Sequence, residues 1–253
     1  MKIKTYLTPK MINNLESKSD SIFVYIDVLR ASTSVCSALY FGAREVIPVE
    51  TMEKALDIYK NLSSDIRLLA GERNGEKPMG FNLGNSPVEF NEDIVKDKSI
   101  ILTTTNGTIA FNLGKKAKFR VIASFTNLSL VVSYIYNVAI KDKIYHCNII
   151  CAGNQGHFAY EDSLCAGAII DKLNTLMNDI ELNDASRLSM EIYNLHNNDL
   201  LHFVKSTEHA KILIEKGFEK DIDDAFTFDK FPVLPLIEGN NIKTANLDIL
   251  QDD

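Results

Sequence analysis

The chain has no tryptophan, four cysteines and six prolines in 253 residues. The missing tryptophan excludes nothing by itself. The cysteines, at positions 36, 147, 151 and 165, form no CxxC pair and no Cys/His zinc spacing, which argues against a structural zinc site. With no export signal, they are expected to be free thiols in a reducing compartment. Long apolar runs are also absent: nothing approaches the roughly 18 residues that span a bilayer. The opening Met1-Lys-Ile-Lys-Thr leads into what reads as a polar helix and lacks the apolar stretch of a secretory signal. A cytoplasmic protein with no membrane partner is expected. Positive charge is short too, with 27 Lys+Arg against 34 Asp+Glu, a net charge of −7, and no basic run beyond a local pair such as Lys115-Lys116. Duplex binding needs clustered cations to displace counterions, so no nucleic-acid partner is expected. Several enzyme loops are missing as well. There is no GxxxxGK[ST] phosphate loop, no GxGxxG dinucleotide loop, no cysteine followed at the sixth position by arginine, and no second aspartate after Asp27-Val-Leu.

What is present is a globular composition, 45% hydrophobic and 24% charged. Short β-rich runs at 22–26, 45–49, 67–70, 100–102, 121–123 and 143–151 alternate with helical stripes at 31–40, 52–59, 107–113, 127–137 and 161–178. Thr8-Pro9 reads as the start of a further short helix through about residue 15. From 183 to 226 the pattern is helical pieces with polar breaks, and 231–237 is extended. Strand-helix alternation of this kind predicts an α/β fold, a three-layer α/β/α arrangement with a parallel or mixed sheet. The expectation is a single domain over 1–253, with a core at about 20–170 and a helical C-terminal elaboration at about 180–253.

Open α/β sheets bind ligands outside the carboxyl ends of their strands, and this chain places its polar clusters there. The first core strand ends in Asp27-Val-Leu-Arg30, the third in Gly71-Glu72-Arg73, the fourth in Thr103-Thr104-Thr105-Asn106-Gly107-Thr108, the fifth in Ser124-Phe-Thr126-Asn127, and the sixth in Cys151-Ala-Gly153, followed by Glu161-Asp162. If the strands are parallel, these ends converge on one edge. The threonine run ahead of a helix favours an anion, through hydroxyls and backbone N–H groups at the positive end of a helix dipole, although helix capping would use the same residues. Arg30 and Arg73, two of six arginines, present forks that fit phosphate, carboxylate or sulfonate. The alternative is an Arg–carboxylate pair serving the fold, with Asp27 the nearest partner for Arg30. Asp27, Glu72, Glu161 and Asp162 supply hard oxygens of the kind Mg²⁺ uses, while Glu161 and Asp162 also suit a helix first turn. Cys151 is read as a small buried residue rather than a nucleophile. The histidines at 146, 157, 196, 202 and 209 make no helical ligand pair, and His157 is read as a surface residue.

Five motifs in order then carry a resemblance: Asp27-Val-Leu-Arg-Ala-Ser-Thr33, Ala70-Gly-Glu-Arg73, Gly80-Phe-Asn-Leu-Gly-Asn-Ser-Pro87, Thr103-Thr-Thr-Asn-Gly-Thr108, and Cys151-Ala-Gly153 through Glu161-Asp162. Together they resemble the 2-phosphosulfolactate phosphatase family over about residues 20–170, with a looser echo at Asp221-Ile222 and around Pro232 and Pro235. The resemblance implies a Mg²⁺-dependent phosphatase that converts 2-phosphosulfolactate to 3-sulfolactate, a step in coenzyme M biosynthesis. The partner implied is a small anionic phosphorylated substrate; the oligomeric state, a homo-oligomer included, stays open. On that basis Asp27 with Glu161 and Asp162 would hold Mg²⁺, Glu72 would orient a water, and Arg30 and Arg73 would neutralise developing charge. Thr103, Thr104, Thr105, Asn106, Gly107 and Thr108, with Asn85, Ser86 and Asn127, would position the substrate. The chain departs from the family's pattern at Asn82, where an acid is usual. This departure keeps open a non-catalytic binder of a phosphorylated or sulfonated metabolite, besides a phosphatase for another small acid.

Overall fold

A computed structural model of the chain describes residues 1–12 and 20–246. In chain order its elements are β1 (Lys2–Tyr6), β2 (Ile22–Ile26), α1 (Ala31–Tyr40), β3 (Glu45–Pro48), α2 (Met52–Asn61), β4 (Arg67–Gly71), α3 (Glu92–Val95), β5 (Ser99–Thr103), α4 (Gly107–Phe111), β6 (Phe119–Ala123) and α5 (Leu128–Lys141). There follow β7 (His146–Cys151), α6 (Tyr160–Leu176), β8 (Glu181–Leu182), α7 (Asp184–His196), α8 (Leu200–Lys205), α9 (Glu208–Glu215), α10 (Glu219–Ala225), β9 (Pro235–Glu238) and β10 (Asn241–Thr244).

The strand Ile-Phe-Val-Tyr-Ile of β2 shows how the layers arise. All five residues are buried, as expected of a strand covered on both faces, and alternate side chains leave on opposite faces. Ile22, Val24 and Ile26 enter a core shared with Leu128 and Ile135 of α5 and Leu164 and Ile169 of α6. Phe23 and Tyr25 enter the opposite core with Val35 and Leu39 of α1 and Phe111 of α4. This is the α/β/α arrangement expected from the sequence.

The sheet order is β4-β5-β3-β10-β9-β6-β2-β7-β1-β8. β4, β5 and β3 are mutually parallel, and so are β6, β2, β7, β1 and β8. The β9–β10 hairpin joins these two arms and is antiparallel to both neighbours. The arms therefore run in opposite directions, so the strand ends do not meet at one edge of a parallel sheet. From β5 to β2 there are five interstrand steps, and right-handed strand twist accumulates roughly 100–125° over them. The loops after β5 and β7 are nonetheless in contact, Asn106 accepting the Gln155 N–H. Arg120 of β6 secures the hairpin by donating to the Ile237 carbonyl at 3.2 Å and the Gly239 carbonyl at 2.7 Å.

Three local expectations are corrected. Lys2–Tyr6 is a strand paired with β7 rather than the lead into a polar helix. After Thr8 the chain makes only a short 3₁₀ turn at Pro9–Met11 and leaves it at Ile12, while residues 13–15 of the expected helix lie outside the described residues. The C-terminal segment is helical as expected, yet it also supplies β8, β9 and β10 to the sheet. Among the described residues no helix is long and apolar enough to cross a membrane.

Candidate active site

Each polar cluster is fastened to the next by side chains that bind backbone. Asp27, at the exit of β2, caps α1 by accepting the Ala31 N–H on Oδ1 at 3.1 Å. Its other oxygen faces Gly107, where a Cβ would lie 2.6 Å from Asp27 Oδ2. Only glycine permits α4 to start so close to the carboxylate. Asp162 accepts the Val28 N–H at 2.8 Å and the Gly153 N–H at 2.9 Å, joining the exits of β2 and β7. Glu72 accepts the Gly75 N–H at 2.8 Å and the Thr105 N–H at 2.7 Å, joining the exits of β4 and β5. Asn106 accepts the Gln155 N–H at 3.0 Å, joining β5 to β7.

The fastened loops enclose a small cleft of about 160 Å³. Of the residues expected from the sequence, Asp27, Arg30, Glu72, Asn85, Thr104, Thr105 and Asn106 line it. Asn85 is 4% exposed and its Oδ1 is buried with no hydrogen-bond partner. Gly107 and Asp162 stand directly behind the wall through the contacts above. Thr108 donates its hydroxyl to the Thr104 carbonyl at 2.9 Å, and Thr104 Oγ1 accepts the Thr108 N–H at 3.3 Å; Asn106 at the N-cap makes no side-chain cap bond. Arg73 donates to Thr103 Oγ1 at 2.9 Å and to the Glu72 carbonyl at 2.7 Å, so it braces the β4 exit outside the cleft. Ser86 donates to Asp221 at 2.5 Å. Asn127 does not line the cleft: it is buried and completes a capping box, accepting from Ser124 N–H at 2.9 Å and donating to the Ile122 and Val233 carbonyls.

Arg30 does pair with a carboxylate, but the partner is Asp221 at 2.7 Å and not Asp27. Its other terminal nitrogen donates to the Gly75 carbonyl at 2.7 Å, and its guanidinium lies 4.1 Å from the Phe218 ring centroid. The cleft also has a wall that sequence reasoning missed. His209, Ile212, Leu213 and Lys216 line it from α9 and its C-cap, with Asn154 and Gln155 added from the loop after β7. The signal available was the i, i+3, i+4, i+7 spacing of 209, 212, 213 and 216, which puts these residues on one helical face. Asn82, in contrast, is exposed, lies outside the cleft and accepts the Leu69 N–H at 2.8 Å. The departure at position 82 therefore does not touch the cleft.

Burial pushes the Asp27 carboxyl up to about 7, helped by the charges of Glu72 and Glu161 and opposed by the Ala31 N–H and His209. Burial, with Asp27 and Glu161 nearby, also holds Asp162 well above the usual carboxylate range. For His209 burial alone would lower the value, but the Glu161 hydrogen bond and the charges of Glu161 and Asp27 prevail and hold it above its ordinary 6.5. Cys151 is buried with its thiol pushed well above its ordinary value, which makes it a poor nucleophile.

Mg²⁺ needs one or two carboxylates besides substrate oxygens and water. Among the described residues no group of three or more His, Cys, Asp or Glu side chains is arranged to hold a metal unaided. Two carboxylates do fit the smaller requirement. Glu161 Oε2 is buried with no hydrogen-bond partner, and no hydrogen bond reaches Asp27 Oδ2 among the described residues. Asp162 and Glu72 fit less well, because both oxygens of each already accept backbone N–H groups.

Residues 6–240 match the family model described as 2-phosphosulpholactate phosphatase. The chain is 40% identical over 245 residues to the probable 2-phosphosulfolactate phosphatase of Caldanaerobacter subterraneus subsp. tengcongensis, covering 97% of this chain and 99% of that protein. It is 42% identical over 217 residues to the protein of the same name in Thermotoga maritima, covering 85% of this chain and 89% of that protein. With its counterpart in Clostridium perfringens the identity is 34% over 247 residues, covering 97% of each.

Proposed function

We propose that this chain, which belongs to the 2-phosphosulfolactate phosphatase family, a family of phosphoric monoester hydrolases, hydrolyses 2-phosphosulfolactate to 3-sulfolactate and phosphate in a Mg²⁺-dependent reaction. The physiological setting that goes with this substrate is coenzyme M biosynthesis in the cytoplasm. One observation carries the reading: a buried carboxylate, an unpartnered buried amide oxygen, two cations and the threonine turn meet in one cleft from separate strand exits and α9.

The substrate carries phosphate, carboxylate and sulfonate, about four negative charges once the phosphate is a dianion. A chain of net charge −7 repels it on average, so local positive elements must hold it. Arg30, fixed in the wall by Asp221 and Gly75, and Lys216, which donates to the Asn74 carbonyl of the same turn, would supply them. Thr104, Thr105 and Asn106 would position the phosphoryl group, and Asn85 would use the amide that no protein group satisfies. Asp27 and Glu161 would hold the cation. When bound, Mg²⁺ supplies charge neutralisation at phosphoryl oxygens and acidifies water. Glu72, with both oxygens on backbone N–H groups, would shape the cleft rather than accept a proton. The active-site walls would exclude bulk water, which strengthens each of these interactions.

Phosphate release from purified protein tests this, with 2-phosphosulfolactate, phospholactate and a sugar phosphate, each with and without Mg²⁺. Mg²⁺-dependent turnover selective for the sulfonated substrate is expected. Turnover on phospholactate instead would keep the phosphatase and discard the sulfonate assignment. Tight binding of sulfolactate without any turnover would overturn the enzymatic reading.

A further inference from the structure

The contact between Glu161 and His209 is not explained by any expected role of the sequence motifs. Glu161 sits in the first turn of α6 and is 1% exposed. Its Oε1 meets Nδ1 of His209 at 2.5 Å, across 48 positions of sequence. Its Oε2 is buried and has no hydrogen-bond partner at all. Buried polar atoms are nearly always satisfied, and one that is not marks a missing partner. Asp27 and Asp162 lie close enough for their charges to act on one another and on Glu161.

We infer that His209 is a positioning residue for the cation site: its ring fixes Oε1 of Glu161, so that Oε2 is the oxygen presented to the metal. This rests on the cation proposed above for Asp27 and Glu161, and it concerns how the ligand is oriented rather than which metal binds. A ligating carboxylate whose second oxygen is hydrogen-bonded loses fewer orientations on binding, and removing such an outer partner commonly weakens metal binding by about 10–100-fold. It also gives α9 a purpose. The helix brings to the first turn of α6 the donor that none of the motif loops supplies, while Ile212, Leu213 and Lys216 of the same face close the cleft.

The experiment is Mn²⁺ binding to the full chain without substrate, followed by electron paramagnetic resonance of the free ion. His209→Ala is expected to weaken Mn²⁺ binding by about 10–100-fold and to raise the Mg²⁺ concentration for half-maximal turnover in proportion. His209→Asn, whose amide nitrogen can occupy the place of Nδ1, is expected to keep most of the affinity; His209→Gln, which displaces the donor by a methylene, is expected to lose it. If His209→Ala does not fold, the Asn and Gln variants carry the comparison. Unchanged affinity in His209→Ala, or equal affinity in the Asn and Gln variants, would overturn the inference and leave the cation site standing. Wild-type protein that takes up no Mn²⁺ at millimolar concentration would overturn the cation site itself.

Discussion

Arg30 and Asp221 stand 191 positions apart in the chain and form an ion pair at 2.7 Å with both side chains sealed from water. Asp221 also accepts from Ser86 at 2.5 Å, and Arg30 also donates to the Gly75 carbonyl and covers Phe218. One pair thus fastens α10, the start of α1, the turn at Gly75 and Ser86 of the Gly80–Pro87 motif. A buried ion pair contributes little net stability, because desolvation offsets its attraction. Its consequence here is geometric: a guanidinium is fixed in the cleft wall, and the C-terminal segment is held over the strand exits.

Removing one partner should be costly even though the pair itself contributes little. Asp221→Ala leaves a buried guanidinium without its counter-ion and should destabilise the fold by about 3–5 kcal/mol. Arg30→Met combined with Asp221→Leu removes both charges and should recover most of that loss. Urea unfolding of the three proteins measures it. A single variant as stable as wild type would mean that Arg30 finds another partner.

The pH dependence of stability should report Asp27. Its carboxyl is raised from 3.8 to about 7 in the fold, chiefly by burial. Between those values the folded chain keeps the proton and the unfolded chain releases it. The stability from this group is therefore fully present below about pH 3.8 and is lost as pH rises toward about 7. Asp27→Asn cannot ionise and keeps an acceptor for the Ala31 N–H. Without metal, the variant should match wild type near pH 4 and exceed it at pH 8 by on the order of a few kcal/mol. Denaturant melts at the two pH values check this; a difference that does not change with pH would assign Asp27 an ordinary carboxyl.

What was legible in the sequence is local. The β-rich run of β2, the apolar stripe of α1 and the polar clusters at strand ends each announce themselves within ten residues. β1 does not. Lys-Ile-Lys-Thr-Tyr carries one deeply buried apolar side chain, Ile3, and its partner β7 lies more than 140 positions away. The β9–β10 hairpin is similar, for β10 meets β3 only through Ile242 and Val46, a pairing that leaves no local mark. Asp221 was marked only by a loose echo of the family pattern, and His209 and Lys216 were not read as cleft residues for a related reason. They sit in short helices broken by polar residues, where a face turned to a cleft has the same composition as a face turned to water. The arms' opposite directions, too, followed from the distant hairpin alone.

Two asparagines that the motif pattern brings to notice should behave differently from site residues. Asn127→Ala strips partners from Ser124 N–H and from the Ile122 and Val233 carbonyls. It should cost about 1–3 kcal/mol of stability and leave KM unchanged in the folded enzyme. Asn82→Asp keeps the acceptor for Leu69 N–H on an exposed side chain and should change kcat/KM by no more than about twofold. Thermal melts and steady-state kinetics on both variants separate the cases; a large kinetic effect at position 82 would mean that the motif reaches the cleft by a route other than this side chain.

Gly107 gives the sharpest test of whether the threonine turn and Asp27 act as one unit. A Cβ at position 107 would come within 2.6 Å of Asp27 Oδ2 and 2.7 Å of Ala31 Cβ. Neither contact is sustainable, so α4 or the carboxylate must move. Overpacking of this kind costs about 1–3 kcal/mol, which a folded enzyme can absorb, but displacement of a reacting group by even a fraction of an ångström weighs more heavily on rate. Gly107→Ala should therefore lose roughly tenfold to 100-fold in kcat while still melting cooperatively above the assay temperature. Paired measurements of kcat and Tm decide it. If Tm falls and kcat holds, the backbone of α4 yields alone, and Asp27 keeps its place without the glycine.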